Sequence, residues 1–558
     1  MSSAISAGLE LVSPVEERYF GAAAARGPRA LHLYHEDPRR PARRVGYDEL
    51  LARARGAANL LAERVGPERT YLVLASTELE TVAAILGGLL CGALPVPLAP
   101  PAGLGGLDAW RARLDEVARA LGAELVVGPA AMADLVEGCA GLSFLPADAL
   151  PTDGPGLPGL DPALSHVQLT SGSTAAPKGV RITHQNLEAN LYHIGWGSDV
   201  AEDDVVVSWL PLFHDMGLVG CLLFALYWNL ELALLPPGAF LSRPRRWLEA
   251  LSAHRGSLSP APAFAYPYLS ARLKNGSLTG LDLSPWRIAY CGAEPIHRPA
   301  VDRFVQHLAG VGLAPGTILP CYGLAEATLA VSFAPVGRGL CGREVSLAGL
   351  GEDLLRAPRH AKDATELVLL GRPLPEVEVE VRDAEGRVCA PGRVGRVWLR
   401  GPTVTPGYWG HPDRHHGAWL DTGDLGGWVE GELALIGRAK DLIIARGRNL
   451  APVELERAAE AVDGVRAGSA VAFAVPDPEA GTEEAVVACE VRDEESDWAR
   501  GAIGCLIERA VAERTGLRPR QVLLLPPGTV PKTTSGKVQR SRARALFERD
   551  LLGRGLDL

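Results

Sequence analysis

"LTSGSTAAPKGV", residues 169–180, decides how the rest of the chain is read. It packs Ser171, Gly172, Ser173, Thr174 and Gly179 around one lysine, Lys178, directly behind an apolar, strand-like run. Glycines let backbone N–H groups approach oxygens closely, hydroxyls add donors, and the lysine adds a point charge. A strand, a Gly/Ser/Thr loop and then Lys-Gly is therefore a phosphate-cradle arrangement. It is not a Walker loop, because GxxxxGK[ST] is absent. Taken alone, the stretch could also be a flexible linker.

The bulk composition frames that reading. A chain of 558 residues is too long for one core, so two or more domains are expected. Hydrophobic residues at 47% and charged residues at 22% are ordinary for a globular protein. The net charge of −10 argues against a nucleic-acid binder. Nine scattered cysteines form no CxxC pair, so neither a zinc site nor a disulfide framework is signalled, and they read as small buried apolar residues. The N-terminus lacks a basic region followed by an apolar run. Two apolar stretches, "VAAILGGLLCGALPVPLA" and "LVGCLLFALYWNLELALL", carry Pro95 and Pro97 or Asn229 and Glu231. Each reads as a core helix running into a buried strand rather than a membrane span, so a cytoplasmic location is expected.

Periodicity gives the organisation. Leu51, Ala54, Ala58, Leu61 and Val65 mark an amphipathic helix. "TYLVLAS", "ALPVPLA" and "AELVVG" are short apolar strands separated by helices, which implies a parallel sheet covered on both faces. Residues 332–370 have weak periodicity and several breakers, and read as an insertion leading to a β-rich section that contains "VEVEVRD" and "GRVWLRG". The pattern changes near Gly437. Beyond it, the helices at "PVELERAAEAV" and about 498–515 and the strands "SAVAFAVP", "EAVVACEVR" and "QVLLLP" describe a small α+β domain. The expected division is an N-terminal domain over 1–436 and a C-terminal domain over 437–558.

Four further motifs follow the opening loop in order: "YGLAEATL" (322–329), "LDTGDL" (420–425), "GRAKDLIIARGRN" (from Gly437) and "PKTTSGKVQR" (from Pro531). Together they resemble the adenylate-forming superfamily of acyl-CoA synthetases, luciferases and peptide-synthetase adenylation domains, over nearly the whole chain. "SWLPLFHDMGLVG", "FLSRPRRWL", "FAY" and "GYW" look most like the fatty acyl-AMP ligases, which activate a fatty acid with ATP and pass it to the phosphopantetheine thiol of an acyl carrier protein. That branch also has an insertion after YGxAEAT, and 45 positions separate Glu326 from Gly371 here. The resemblance implies an α/β fold: a large N-terminal domain with parallel sheets and a β-rich subdomain, plus a small α+β C-terminal domain. It places the protein in lipid or polyketide metabolism, with no nucleic-acid partner.

Roles carry over residue by residue. Thr170, Ser171, Gly172, Ser173, Thr174 and Lys178 would hold the ATP phosphates. Glu326 would bind Mg²⁺, a hard cation that takes carboxylate oxygen beside phosphate. Gly292, Ala293 and Glu294 would line the adenine and ribose pocket, and Tyr322, followed by the turn glycine Gly323, would stack on the base. Asp424 would accept both ribose hydroxyls, assisted by Arg438. His214 would sit by the fatty carboxylate and gate it. Lys537 would bridge that carboxylate and the α-phosphate, stabilising charge that develops in the transition state. Lys440 matches the hinge position.

Simpler readings stand beside these. Glu326 and Asp424 could be caps, His214 a core histidine, Tyr322 a packing residue and Lys440 a structural lysine. Ala263, Arg396 and "LAPVELE" depart from the usual pattern without removing a catalytic group. An acyl-CoA synthetase and a non-catalytic binding protein of the same fold are the alternatives. Residues 529–547 contain no acid but include Lys532, Lys537, Arg540, Arg542 and Arg544, a basic rim that could steer an acidic carrier protein.

Overall fold

The computed structural model describes residues 10–101, 107–139, 141–170, 178–273, 278–411, 418–445, 448–477, 482–492, 497–533 and 537–552. The expected helix forms over Tyr47–Arg64, and its apolar face lies against helix Leu79–Cys91. Gly87 permits that contact, since a Cβ there would lie 2.7 Å from the Ala57 Cβ. Helix Leu79–Cys91 in turn packs on a four-stranded parallel sheet in the order Leu94–Leu98, Thr70–Leu74, Leu125–Gly128, Ser143–Pro146. These strands carry the three apolar runs read from the sequence, and they are buried because helices pack on the sheet.

A nine-stranded sheet forms the other large layer. Its middle strands, Ile318–Gly323, Ile288–Gly292, Leu258–Pro262, Val205–Ser208, Glu231–Leu234 and Ala30–Leu33, are parallel, and antiparallel strands close both ends. The loops leaving the C-terminal ends of these parallel strands carry His214, Ala293, Glu294 and Glu326, the usual place for a ligand in an α/β sheet. "LVGCLLFALYWNLELALL" is a buried helical segment, Leu218–Leu223 in π geometry and Phe224–Trp228 in α, followed by strand Glu231–Leu234. No helix among the described residues is long and apolar enough to cross a membrane.

The β-rich section is a four-stranded antiparallel sheet, Glu378–Arg382, Gly395–Arg400, Leu420–Val429 and Glu432–Arg438. The segment 332–370 is more ordered than its weak periodicity suggested. It contains an antiparallel pair, Gly342–Ser346 with Ala364–Val368, joined through helix Leu347–Leu350. Beyond Gly437, a three-stranded sheet of Val465–Asp477, Thr482–Val491 and Gln521–Leu525 packs with helices Pro452–Glu460, Asp497–Thr515 and Arg540–Glu548. Its apolar side chains form clusters of their own, built on Leu455, Val487 and Ile507 and on Phe473 and Val486. Five cysteines are buried as expected, three are half-buried, and Cys505 is exposed.

Candidate active site

Asp424 and Arg438 face each other in register on adjacent antiparallel strands. That pairing sets Arg438 Nε 2.7 Å from Asp424 Oδ1, while the Tyr322 hydroxyl donates to Asp424 Oδ2 at 2.6 Å. Asp424 is only 6% exposed, and burial pushes its carboxyl above the ordinary carboxylate value despite the opposing guanidinium. Each of its oxygens retains lone-pair capacity for a further donor. Tyr322 is buried, and its phenol is committed to Asp424 while the residue lines the same cavity.

Gly323 ends its strand where a Cβ would fall 1.9 Å from the Leu329 carbonyl oxygen, so only glycine fits the turn. The turn presents Glu326, whose Oε1 accepts the Tyr408 hydroxyl at 2.9 Å. Lys178 lies over the same Tyr408 ring, 5.5 Å from its centroid. Tyr408 thus links the lysine of the opening loop to the acid of the second motif. The Thr170 N–H donates to the Lys178 carbonyl at 3.2 Å and closes the neck of that loop. Ser171, Gly172, Ser173 and Thr174 lie outside the described residues.

Gly292 sits where a Cβ would meet the Cys321 carbonyl oxygen at 2.6 Å. Ala293 and Thr328 both adopt positive φ, at 66° and 67°, a conformation that L residues avoid unless their surroundings fix it. Glu294 Oε1 accepts the Phe264 N–H at 2.5 Å, and burial raises its carboxyl pKa.

Lys537 arrives from the C-terminal region on a tight loop. The Thr533 N–H donates to the Lys537 carbonyl at 2.7 Å, and the Lys537 N–H donates to the Thr533 hydroxyl at 3.0 Å. Burial lowers its amine pKa, against the pull of Asp215 and Glu294. His214 starts a short helical turn, with Nδ1 2.6 Å from Asp215 Oδ1. Burial pushes the Asp215 carboxyl up, but the His214 ring and Lys537 outweigh it, and it lies below the ordinary value.

One cavity of about 2890 Å³ is lined by all of these groups: Thr170, Lys178, His214, Ala293, Glu294, Tyr322, Glu326, Asp424, Arg438, Lys440 and Lys537. Ile194, Gly220, Leu329, Ala330 and Phe333 add an apolar stretch to its wall. Lys440 follows Arg438 in the one-turn helix Ala439–Asp441. Among the described residues no group of three or more His, Cys, Asp or Glu side chains could hold a metal. A single carboxylate, Glu326, linked through Tyr408 to Lys178 is nevertheless a donor set that would suit Mg²⁺, which keeps waters and binds substrate phosphates.

The basic rim needs correcting. Arg540 pairs with Glu456 at 2.7 Å and with Asp441 at 3.4 Å, Arg544 pairs with Glu548, and Lys532 donates to Ser469. The acids lie outside the 529–547 window, so a count within it missed them. Sequence reasoning also passed over Tyr408 and Asp215. Both sit inside quoted motifs, and the adjacent His-Asp pair was the available signal.

The AMP-binding enzyme family model matches residues 20–409. The chain is 36% identical over 511 residues to a putative acyl-CoA synthetase of Caulobacter vibrioides, covering 88% of each chain. It is 32% identical to JamA of Moorena producens, described as a medium-chain-fatty-acid–[acyl-carrier-protein] ligase, covering 90% of each. A solved structure from a study of fatty acyl-adenylate ligases of E. coli and L. pneumophila superposes with a TM-score of 0.89 at 33% identity, over 97% of this chain and 98% of that one. This chain belongs to the AMP-binding enzyme family.

Proposed function

We propose that the protein activates a fatty or related carboxylic acid with ATP to an acyl-AMP, releasing pyrophosphate, and transfers the acyl group to the phosphopantetheine thiol of an acyl carrier protein. The observation that carries this reading is that Lys537 lines the same cavity as Asp424, Arg438, Glu294 and His214. Asp424 and Arg438 take the ribose, with Tyr322 and the Gly292–Ala293–Glu294 turn beside the base. Thr170, the loop 171–174 and Lys178 take the β- and γ-phosphates. Glu326 is the carboxylate for Mg²⁺, which when bound would neutralise phosphate charge. The acid lies along Ile194, Gly220 and Phe333 with its carboxylate at His214. Lys537 stabilises the charge that builds as that carboxylate attacks the α-phosphorus in line.

Residues 1–436 and 437–558 act as the two working domains, with Lys440 at the hinge. The C-terminal domain carries Lys537 for the first step and rotates for the second. Preference for a carrier protein over free CoA is supported by the insertion. The Thr365 hydroxyl donates to Glu454 Oε1 at 3.0 Å, while Arg514 holds Oε2 of the same glutamate at 2.6 Å. These contacts tie the insertion to the C-terminal region and resist the rotation that CoA needs. JamA, named for carrier-protein ligation, supports the same acceptor. The Caulobacter relative, named for CoA, supports the acyl-CoA synthetase reading.

Pyrophosphate exchange against a panel of carboxylic acids tests the first step. Comparing thioester yield with CoA and with a holo carrier protein decides the acceptor. Exchange with no acid in the panel would reduce the protein to a nucleotide-binding member of its family, and efficient acyl-CoA formation at low CoA would make it a synthetase.

A further inference from the structure

Thioester formation needs a base, because a thiol must give up its proton to become the nucleophile. Most of the site groups described above are engaged by partners, Glu326 by the Tyr408 hydroxyl among them. Asp424 is engaged by Tyr322 and Arg438, and Glu294 by the Phe264 N–H. Lys537 belongs to the C-terminal region, which on the reading above rotates away for the second step. His214 is different. Its Nδ1 lies 2.6 Å from Asp215 Oδ1, a separation that requires a proton between them. The Met216 N–H lies 3.3 Å from that nitrogen but 2.8 Å from the Asp215 oxygen, so it belongs to the carboxylate. We therefore assign the ring proton to Nδ1. The opposite nitrogen, Nε2, takes no partner among the described residues, and His214 lines the cavity. Asp215 is 8% exposed and stays in place through the Met216 N–H, so it fixes both the tautomer and the ring plane.

Resting on the reading above, we propose that His214, oriented by Asp215, is the general base of the acyl-transfer step. The thiol proton passes to His214 Nε2 as sulfur forms its bond to the acyl carbonyl carbon. The carbon–oxygen bond to the phosphate then breaks, and AMP leaves with that electron pair. The imidazolium that results is stabilised by the Asp215 carboxylate and returns its proton to solvent after release. Asp215 is a positioning residue, since it acts only through the ring.

The test supplies preformed fatty acyl-AMP, which bypasses activation, and compares two acceptors, pantetheine and thiophenol. Pantetheine carries an alkyl thiol that must be deprotonated, whereas thiophenol is already largely thiolate near neutral pH. His214→Ala should slow transfer to pantetheine by about 10²–10⁴-fold, the usual contribution of a positioned base. It should slow transfer to thiophenol at least tenfold less. Added imidazole should restore part of the pantetheine rate, and Asp215→Asn should show the same acceptor bias with a smaller loss. Both acceptors are read on one preparation, so partial misfolding cancels in the ratio. Equal losses with both thiols in both variants, without imidazole rescue, overturn the assignment and leave the overall function standing. A wild-type enzyme that forms no thioester from acyl-AMP with either thiol overturns the transfer reading and this inference together.

Discussion

Arg438 Nε stands 2.7 Å from Asp424 Oδ1 across one rung of antiparallel strands, while Tyr322 holds the other oxygen from a different sheet. Arg438 and Tyr322 favour the charged carboxylate in a site where burial favours its neutral form. Asp424→Ala should weaken ATP binding, since each hydrogen bond to a charged group contributes roughly 1.5–3 kcal/mol. Two such bonds correspond to a rise in the ATP Kd of about 10²–10⁴-fold. Isothermal titration checks it, and an unchanged Kd would make Asp424 a turn residue only.

The same carboxyl gives a pH dependence with a defined sign. On the proposed role ATP binds the charged form, so affinity should be lost as pH falls through the folded-state pKa. That pKa is raised, so the loss begins above the ordinary value of about 3.9 for aspartate. Arg438→Gln removes the group that opposes burial and should move the loss to higher pH still. Fluorescence titrations with ATP between mildly acidic and neutral pH measure both curves, and superimposable curves would remove Asp424 from the nucleotide site.

Lys537→Ala should lower acyl-AMP formation by about 10²–10³-fold with little change in the ATP Kd. One preorganised donor aimed at developing charge contributes on this scale, and mainly in the transition state. Its amine faces Asp215 and Glu294 across the cavity, so the loss should appear in kcat. A near-normal exchange rate would disprove the role.

Much of this was legible in the sequence, for reasons that differ by element. The parallel strands at Thr70–Leu74, Leu94–Leu98 and Leu125–Gly128 announce themselves as apolar runs between helices, because burial on both faces demands it. The pairing of Asp424 with Arg438 was expected only through the motif resemblance, because periodicity gives no sign of it. The two lie fourteen positions apart, and a bulge at Leu425/Gly426 shifts the register between them. Arg540 looked like a free surface cation because its partners, Glu456 and Asp441, are distant in sequence. The order of 332–370 was hidden because Gly342–Ser346 and Ala364–Val368 are only five residues each, and their buried positions include the polar Ser346 and Thr365 beside Val345 and Leu367. Local motifs reveal which side chains carry chemistry, and tertiary pairing decides which charges remain available.

Glu326→Gln should raise the Mg²⁺ concentration needed for half-maximal exchange by roughly tenfold, because an amide oxygen is a poorer ligand for a hard cation than a carboxylate. Tyr408→Phe is the control. It removes the phenol that donates to Glu326 at 2.9 Å but leaves the ring under Lys178, so its effect should be smaller. Magnesium titrations at saturating ATP read both variants, and identical curves for Glu326→Gln and wild type would remove the metal role.

The last prediction concerns the tie between the insertion and the C-terminal region. Thr365 meets Glu454 at 3.0 Å and accepts from Arg514 at 3.3 Å. Removing Glu454 would leave Arg514 and Arg457 without their shared acid in a largely buried setting, at a cost of about 3–5 kcal/mol. Thr365→Val is the cleaner cut. It keeps the shape of the side chain, leaves the Glu454–Arg514 ion pair intact and removes only the hydroxyl, a loss of about 0.5–1.5 kcal/mol per hydrogen bond. A change of that size is small against folding but shifts a two-position equilibrium several-fold. Acyl-AMP formation should stay within about twofold of wild type, because the Thr365 side chain bonds to Glu454 and Arg514 and to none of the side chains proposed to hold the nucleotide. Acyl-CoA yield should rise by several-fold, since the C-terminal domain would leave its first position more readily. Measuring both products side by side, with Arg514→Lys as a second variant, checks the mechanism. If acyl-CoA yield stays at the wild-type level in both, the insertion does not restrain rotation, and discrimination against CoA lies elsewhere in the cavity.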